Sequence, residues 1–273
     1  MKIWLDGTLQ DLEAARVSVF DHGLTVGDGI FETVKSVDGK PFALTRHLDR
    51  LARSARGLGL PEPDLDEVRR ACDAVIEANP MPLGRLRITY TGGLSPLGSD
   101  RGEHGPTLVV ALGEAARRPD STATVTVPWT RNERGALTGL KTTSYAENVV
   151  ALARAREQGA SEALFANTVG QLCEGTGSNV FVVLDGEIHT PPVASGCLAG
   201  ITRALTVEWT GAKETDLPLD VLERADEIFL TSTLRDVQGV HRVDARDLPG
   251  APGPVTAKAM RVFDERAADD LDP

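Results

Sequence analysis

Apolar residues recur along this chain at two spacings, every second position in some stretches and every third or fourth in others. That mixture predicts strands alternating with helices. Asp-Gly pairs between short β-prone runs, in "LDGTL", "VDGKPF" and "LDGEIH", predict three hairpins with tight turns. In "TRHLDRLARSARGL" the residues Leu48, Leu51, Ala55 and Leu58 share one helical face. "DLDEVRRACDAVIEAN" opens with Asp64 and Glu67 spaced as a capping box, which predicts a second amphipathic helix. Strands are expected in "GRLRITYTGG" and "PTLVVAL", and the polar stretch "GEAARRPDST", with Pro119, reads as a linker. Beyond it come the strands "TATVTVPW", "EALFAN", "NVFVVL" and "EIFLTST", the helix "ITRALTVEW", and a helix capped by Ser144 with Glu147 as a second capping box. Two domains are expected, 1–114 and 115–273, with no internal repeat and no low-complexity segment.

Composition narrows the partners. A net charge of -11 over 273 residues argues against a nucleic-acid or membrane-surface partner, since either needs a basic face. No apolar run approaches the roughly 20 residues of a membrane span. "MKIWLDGTLQ" has charges where a secretory leader has its apolar segment, so the expected location is the cytoplasm. Cys72, Cys173 and Cys197 are widely spaced and odd in number, and the five histidines are scattered. Neither a disulfide framework nor a metal site is expected.

Candidate chemistry centres on Lys141, one of six lysines against 23 arginines, placed between a strand end and a helix start. Taken alone it reads equally as a surface lysine or as an amine partly removed from water, which loses its proton more easily and is then nucleophilic towards an aldehyde. Glu174 opens the Gly-rich turn "EGTGSN", either an ordinary turn in which Gly175 and Gly177 supply positive φ or a carboxylate beside an anion-binding turn. Gly200 precedes a helix start, whose N–H groups suit a phosphate, and Thr202 adds a hydroxyl. Ser232 and Thr233 end a strand.

"FDHGLTVGDGIFETVKSVDGKPFALTRHLDRLARSA", Lys141, "EGTGSNVF", "AGITR" and "TSTLRDV" occur in the order and at the separations of the class IV aminotransferases, pyridoxal-phosphate enzymes of fold type IV, which the chain resembles from about residue 3 to 243. The resemblance implies a two-domain α/β (α+β) chain, with a small N-terminal α/β domain and a larger C-terminal pseudo-barrel domain that binds the cofactor. It implies that Lys141 forms the internal aldimine with pyridoxal 5'-phosphate and then shuttles a proton, while Glu174 pairs with the ring nitrogen. Arg50 matches the family's phosphate-binding arginine. It lies off the Leu48/Leu51/Ala55 stripe with Arg46 and Arg53, so on spacing alone it reads as part of a solvated basic face. Backbone N–H groups of Ile201 and Thr202, the Thr202 hydroxyl, Ser232 and Thr233 would complete the phosphate site.

On the substrate side, Phe31, Thr33 and Lys35 alternate along a strand that lines the pocket in this family. Arg87 or Arg101 is the expected carboxylate ligand, Tyr145 is placed to reach the cofactor, and Tyr90 and His104 are weaker candidates. The D-amino-acid enzymes have an arginine where this chain has Gly92. The general pattern looks most like the 4-amino-4-deoxychorismate lyase branch, which eliminates pyruvate to give 4-aminobenzoate. The alternative is an amino-acid transaminase, branched-chain or D-amino acid, and a remoter one is a pyridoxal-phosphate-binding protein without turnover. A nucleotide-binding module fits poorly, because "EGTGSN" lacks the Lys-Ser/Thr that ends a P-loop. The expected partners are a small-molecule amino substrate and, by resemblance, a second copy of the chain.

Overall fold

The computed structural model describes every residue except Pro249. The chain forms two compact units, one of Met1–Ala116 with Leu140–Tyr145 and Leu271–Pro273, the other of Arg117–Gly139 and Ala146–Asp270. A single boundary was expected, so the assignment of Leu140–Tyr145 to the first unit is a difference. Its cause is backbone pairing: the Phe31 N–H donates to the Lys141 carbonyl at 2.9 Å, and the Thr143 N–H donates to the Gly29 carbonyl at 2.8 Å.

The first unit is a six-stranded sheet, β1 (Lys2–Leu5), β2 (Thr8–Asp11), β3 (Gly29–Val37), β4 (Lys40–Pro41), β5 (Leu83–Thr91) and β6 (Thr107–Glu114), in the order β2-β1-β6-β5-β3-β4 and antiparallel throughout. Its helices are α1 (His22–Thr25), α2 (Leu44–Leu58) and α3 (Leu65–Ala78). The hairpins β1-β2 and β3-β4 turn on Asp6-Gly7 and Asp38-Gly39, all four with positive φ, as a two-residue turn matched to strand twist requires. Alternate residues of the central strands, Ile30, Val34, Leu86, Ile88, Tyr90, Val110 and Leu112, pack on Leu48, Leu51, Ala55, Val68, Cys72 and Val75 of α2 and α3. Tyr90 is therefore a core residue and not a substrate ligand. Phe31, Thr33 and Lys35 point to the opposite face. Asp64 caps α3 by accepting from the Asp66 and Glu67 N–H groups.

The second unit holds nine strands, β7 (Ser121–Arg131), β8 (Glu162–Asn167), β9 (Leu172–Gly175), β10 (Asn179–Leu184), β11 (Glu187–Thr190), β12 (Lys213–Glu214), β13 (Glu227–Ser232), β14 (Asp236–Val243) and β15 (Arg246–Asp247). Their order is β12-β11-β10-β13-β14-β7-β8-β9, with β15 added to β14. The pairs β7-β8, β14-β7 and β11-β12 are parallel, and the others are antiparallel. Strands β9 and β10 are separated by four others in that order, which in a flat sheet is about 24 Å at 4.8 Å per strand. The three residues that join them reach only about 14 Å. The sheet must curl back on itself, as a pseudo-barrel does. Four helices complete the unit: α4 (Ala146–Glu157), α5 (Ile201–Thr210), α6 (Val221–Arg224) and α7 (Pro254–Asp269). Ser144 does not act as the expected cap of α4. Its hydroxyl donates to the Gly27 carbonyl, and Glu147 accepts from Arg131.

Candidate functional site

In the first unit the chemistry gathers around β3. The segment that pairs with its first residues places the Lys141 amine 4.4 Å from the centre of the Phe31 ring, and the Lys141 N–H donates to Ser54 Oγ of α2. Tyr145 meets the same ring edge-on, with centroids 5.3 Å apart. From β5, the Arg87 guanidinium lies 3.3 Å from the Phe31 centroid. Thr33 is the cross-strand partner of Arg87, and Lys35 stands over Phe42. Phe31, Arg87, Lys141 and Tyr145 thus form one cluster, with Thr33 beside it and Lys35 farther along the strand.

Behind them, on the core face of β3, lies a charged residue that periodicity did not single out. Glu32 is fully buried and accepts two 2.7 Å bonds, from Nε and one Nη of Arg50, while His47 Nδ1 lies 2.7 Å from its Oε2. Arg50 is only 4% exposed, so its placement on a solvated basic face is overturned. Three-residue spacing on α2 puts His47 and Arg50 on one face, and Glu32 supplies the counter-charge that lets the guanidinium enter the interior. Burial by itself would raise the Glu32 carboxyl. The Arg50 charge and the bonds from Arg50 and His47 outweigh it and hold the group well below the usual carboxylate range. Burial pushes the His47 ring below its ordinary value in spite of Glu32. A carboxylate only accepts, so the neutral ring has its proton on Nδ1.

A second network fixes the loop after β5. Arg101 is bidentate to Asp28 and also donates to the Leu58 and Gly59 carbonyls at the end of α2. The expectation that Arg101 binds substrate fails on that account, since its donors are already engaged. His104 is exposed. Buried His22 lies 2.9 Å from both Asp28 Oδ2 and the Gly98 carbonyl. A Cβ at Gly92 would come 2.5 Å from Asp28 Oδ2, so this backbone excludes a side chain there.

In the second unit, Glu174 on β9 is oriented by two donors, Arg131 Nε at 3.1 Å to Oε1 and the Leu198 N–H at 2.9 Å to Oε2. Arg131 in turn lies over the Phe165 ring and binds Glu147. The Gly-rich turn has neither of its expected features. Gly175 and Gly177 are not in the positive-φ region, and the Thr176 N–H with the Thr176 and Ser178 hydroxyls is bound to buried Glu162. Those donors serve a buried carboxylate inside the fold, not an anion from solution. Gly200 precedes α5, whose first turn has no side-chain cap, and Ile201 and Thr202 are buried. A Cβ at Gly200 would overlap Asn179 Oδ1. Ser232 ends β13 and Thr233 begins the turn to β14, both half-buried, while the hydroxyl of the preceding Thr231 is buried with no hydrogen-bond partner.

Sequence reasoning passed over Glu32, His47, Arg131 and Glu162. The available signal was a charge at an alternating core position, as at Glu32 between Ile30 and Val34. Among the described residues no group of three or more His, Cys, Asp or Glu side chains is placed to hold a metal ion, and no helix is long and apolar enough to cross a membrane.

A family model described as amino-transferase class IV matches residues 29–243. The chain is 32% identical to the branched-chain-amino-acid aminotransferase of Pseudomonas aeruginosa, over 96% of this chain and 91% of that one. It is 31% identical to the bifunctional aminodeoxychorismate lyase / D-amino acid transaminase of Mycobacterium tuberculosis, over 92% and 94%. Among solved structures, the branched-chain amino acid aminotransferase of Escherichia coli superposes with a TM-score of 0.91 at 27% identity, over 97% of this chain and 93% of that one.

Proposed function

Because the chain belongs to the class IV aminotransferases, an enzyme family, we propose that it is an amino-acid transaminase dependent on pyridoxal 5'-phosphate. The observation that carries this reading is its end-to-end likeness to a branched-chain-amino-acid aminotransferase. The motif pattern had favoured the aminodeoxychorismate lyase reaction. The relatives support transamination better, and the backbone at Gly92 leaves no room for the arginine of the D-amino-acid enzymes. Lyase activity stays as a second reading, favoured by the likeness to the bifunctional enzyme.

The side chains fit such a cofactor on structural grounds. The uncapped first turn of α5 offers N–H groups and the positive end of a dipole to a phosphate, and the orphaned Thr231 hydroxyl lies next to Ser232 and Thr233. We assign the phosphate to the Ile201 and Thr202 N–H groups, the Thr202, Ser232 and Thr233 hydroxyls, and Arg50. Glu174, fixed by Arg131 and Leu198, takes the protonated ring nitrogen. When bound, pyridoxal phosphate supplies an electron sink for the pair left at the substrate α-carbon. Lys141 Nζ is the covalent attachment point and, once released, takes the α-proton and returns it. Phe31 and Tyr145 wall the amine and limit water around it. A homodimer is part of this reading. Val19, Leu24 and Leu97 are 72%, 68% and 72% exposed on two segments joined by the bonds His22 N–H to Gly93 O and Ser95 N–H to Phe20 O, an apolar patch of the kind a second subunit covers. Three buried free thiols suit a reducing, cytoplasmic compartment.

The test is turnover of leucine and of D-alanine with 2-oxoglutarate, alongside 4-amino-4-deoxychorismate. Leucine turnover, lost together with the visible cofactor band in Lys141→Ala, is the expected result. Release of 4-aminobenzoate and pyruvate without any amino-acid turnover would replace this reading with the lyase.

A further inference from the structure

Arg87 differs from the other inward-lying arginines of the first unit. Glu32 binds Arg50 and Asp28 binds Arg101, but among the described residues no carboxylate lies within ion-pair distance of Arg87. Its hydrogen bond is a long one, from Nε to Thr89 Oγ1 at 3.3 Å. The Glu32 charge acts on it, yet both oxygens of Glu32 are engaged by Arg50 and His47. Burial without a counter-ion is unfavourable for the charged form and pulls Arg87 down to about 10. A carboxylate brought in from outside would relieve that penalty.

Placement says which carboxylate. Arg87 stands on the sheet face of Phe31 and Thr33, away from the core. The guanidinium is 3.3 Å and the Lys141 amine 4.4 Å from the centre of one ring, so the two cations are no farther apart than those distances laid end to end. An α-amino acid has its carboxylate two bonds from its nitrogen, and a charge-assisted bond of about 2.8 Å covers the remainder. The stack on Phe31 fixes the guanidinium plane, and Tyr145 braces the ring from its edge.

We propose that Arg87 binds the α-carboxylate of the substrate while the substrate nitrogen lies at Lys141, which makes α-amino acids and 2-oxo acids, in preference to amines without a carboxylate, the substrate class. The statement about substrates rests on the transaminase reading; the carboxylate site itself does not.

The experiment titrates cofactor-loaded wild type, Arg87→Met and Arg87→Lys with 3-methylbutanoate, a carboxylate that cannot react, and follows the visible band. Melting temperature and the band itself report folding and cofactor retention. Loss of a charge-assisted pair should weaken binding about 30-fold in Arg87→Met, with part of the affinity restored in Arg87→Lys. KM for leucine should rise by a similar factor, with kcat less affected. Affinities within about 3-fold of one another, or no binding of the carboxylate to wild type, would overturn the proposal. If the carboxylate binds through Arg87 and no amino acid turns over, the transaminase reading fails and the site stands.

Discussion

Replacing Glu32 by leucine should be among the most damaging single changes in the first unit. The carboxylate is fully buried, accepts two 2.7 Å bonds from Arg50 and a third from His47, and is the counter-charge of a guanidinium that is only 4% exposed. Removing one member of a buried ion pair leaves the other desolvated and unpaired, at a cost of about 3–5 kcal/mol. The double variant Glu32→Leu/Arg50→Met removes both charges and should regain most of that loss, ending within about 1 kcal/mol of wild type. The assay is urea unfolding of cofactor-free protein at one fixed concentration, followed by near-ultraviolet circular dichroism. The pH dependence has a definite sign. The folded carboxyl titrates below its unfolded value of about 4.3, so its contribution is complete above about pH 5 and falls away as acid approaches the folded value. The gap between wild type and Glu32→Leu should therefore narrow below about pH 4. A cost under about 1 kcal/mol for Glu32→Leu, or a double variant worse than the two single changes together, would refute the buried-pair argument.

Gly200→Ala should push Asn179 off its 2.9 Å bond to the Leu198 carbonyl and disturb the start of α5. A repacking cost of about 1–2 kcal/mol corresponds to about 5–30-fold weaker binding of pyridoxal phosphate, measured by equilibrium titration, and unchanged affinity would remove the phosphate assignment there. Both nitrogens of His22 face acceptors, so the ring donates twice only as imidazolium. The bond to Asp28, followed by the Gly98 carbonyl, raises its pKa above the ordinary 6.5. Its stabilising contribution is complete below that value and is lost as pH rises through the raised one. An NMR titration of the ring with a midpoint at or below 6.5 would contradict the double-acceptor geometry.

The elements of this fold were legible because their signals are local. The Asp-Gly turns, the Leu48/Leu51/Ala55 stripe and the Asp64 cap each depend on residues a few positions apart, and all three recur in the structure. Lys141, Glu174 and the glycine before α5 were legible for another reason, as motifs in a family order. Helix α7 was not assigned from sequence; the small residues around Ala259 and Phe263 give a weak apolar face. What only the tertiary structure decided is where charge is tolerated. Spacing on α2 assigned Arg50 to water, because no rule of neighbours relates it to Glu32, 18 positions away, and the same holds for Glu162 beneath the Gly-rich turn and for Asp28 with Arg101. Arg87 is the converse case, a cation on the strand face beside Lys141 with no carboxylate of the chain to meet it. Periodicity reports which side of an element is apolar, a property of the local chain. Whether a charge can leave water depends on a partner that folding brings from elsewhere, and in the interior that partner decides which arginine is structural and which can bind a ligand.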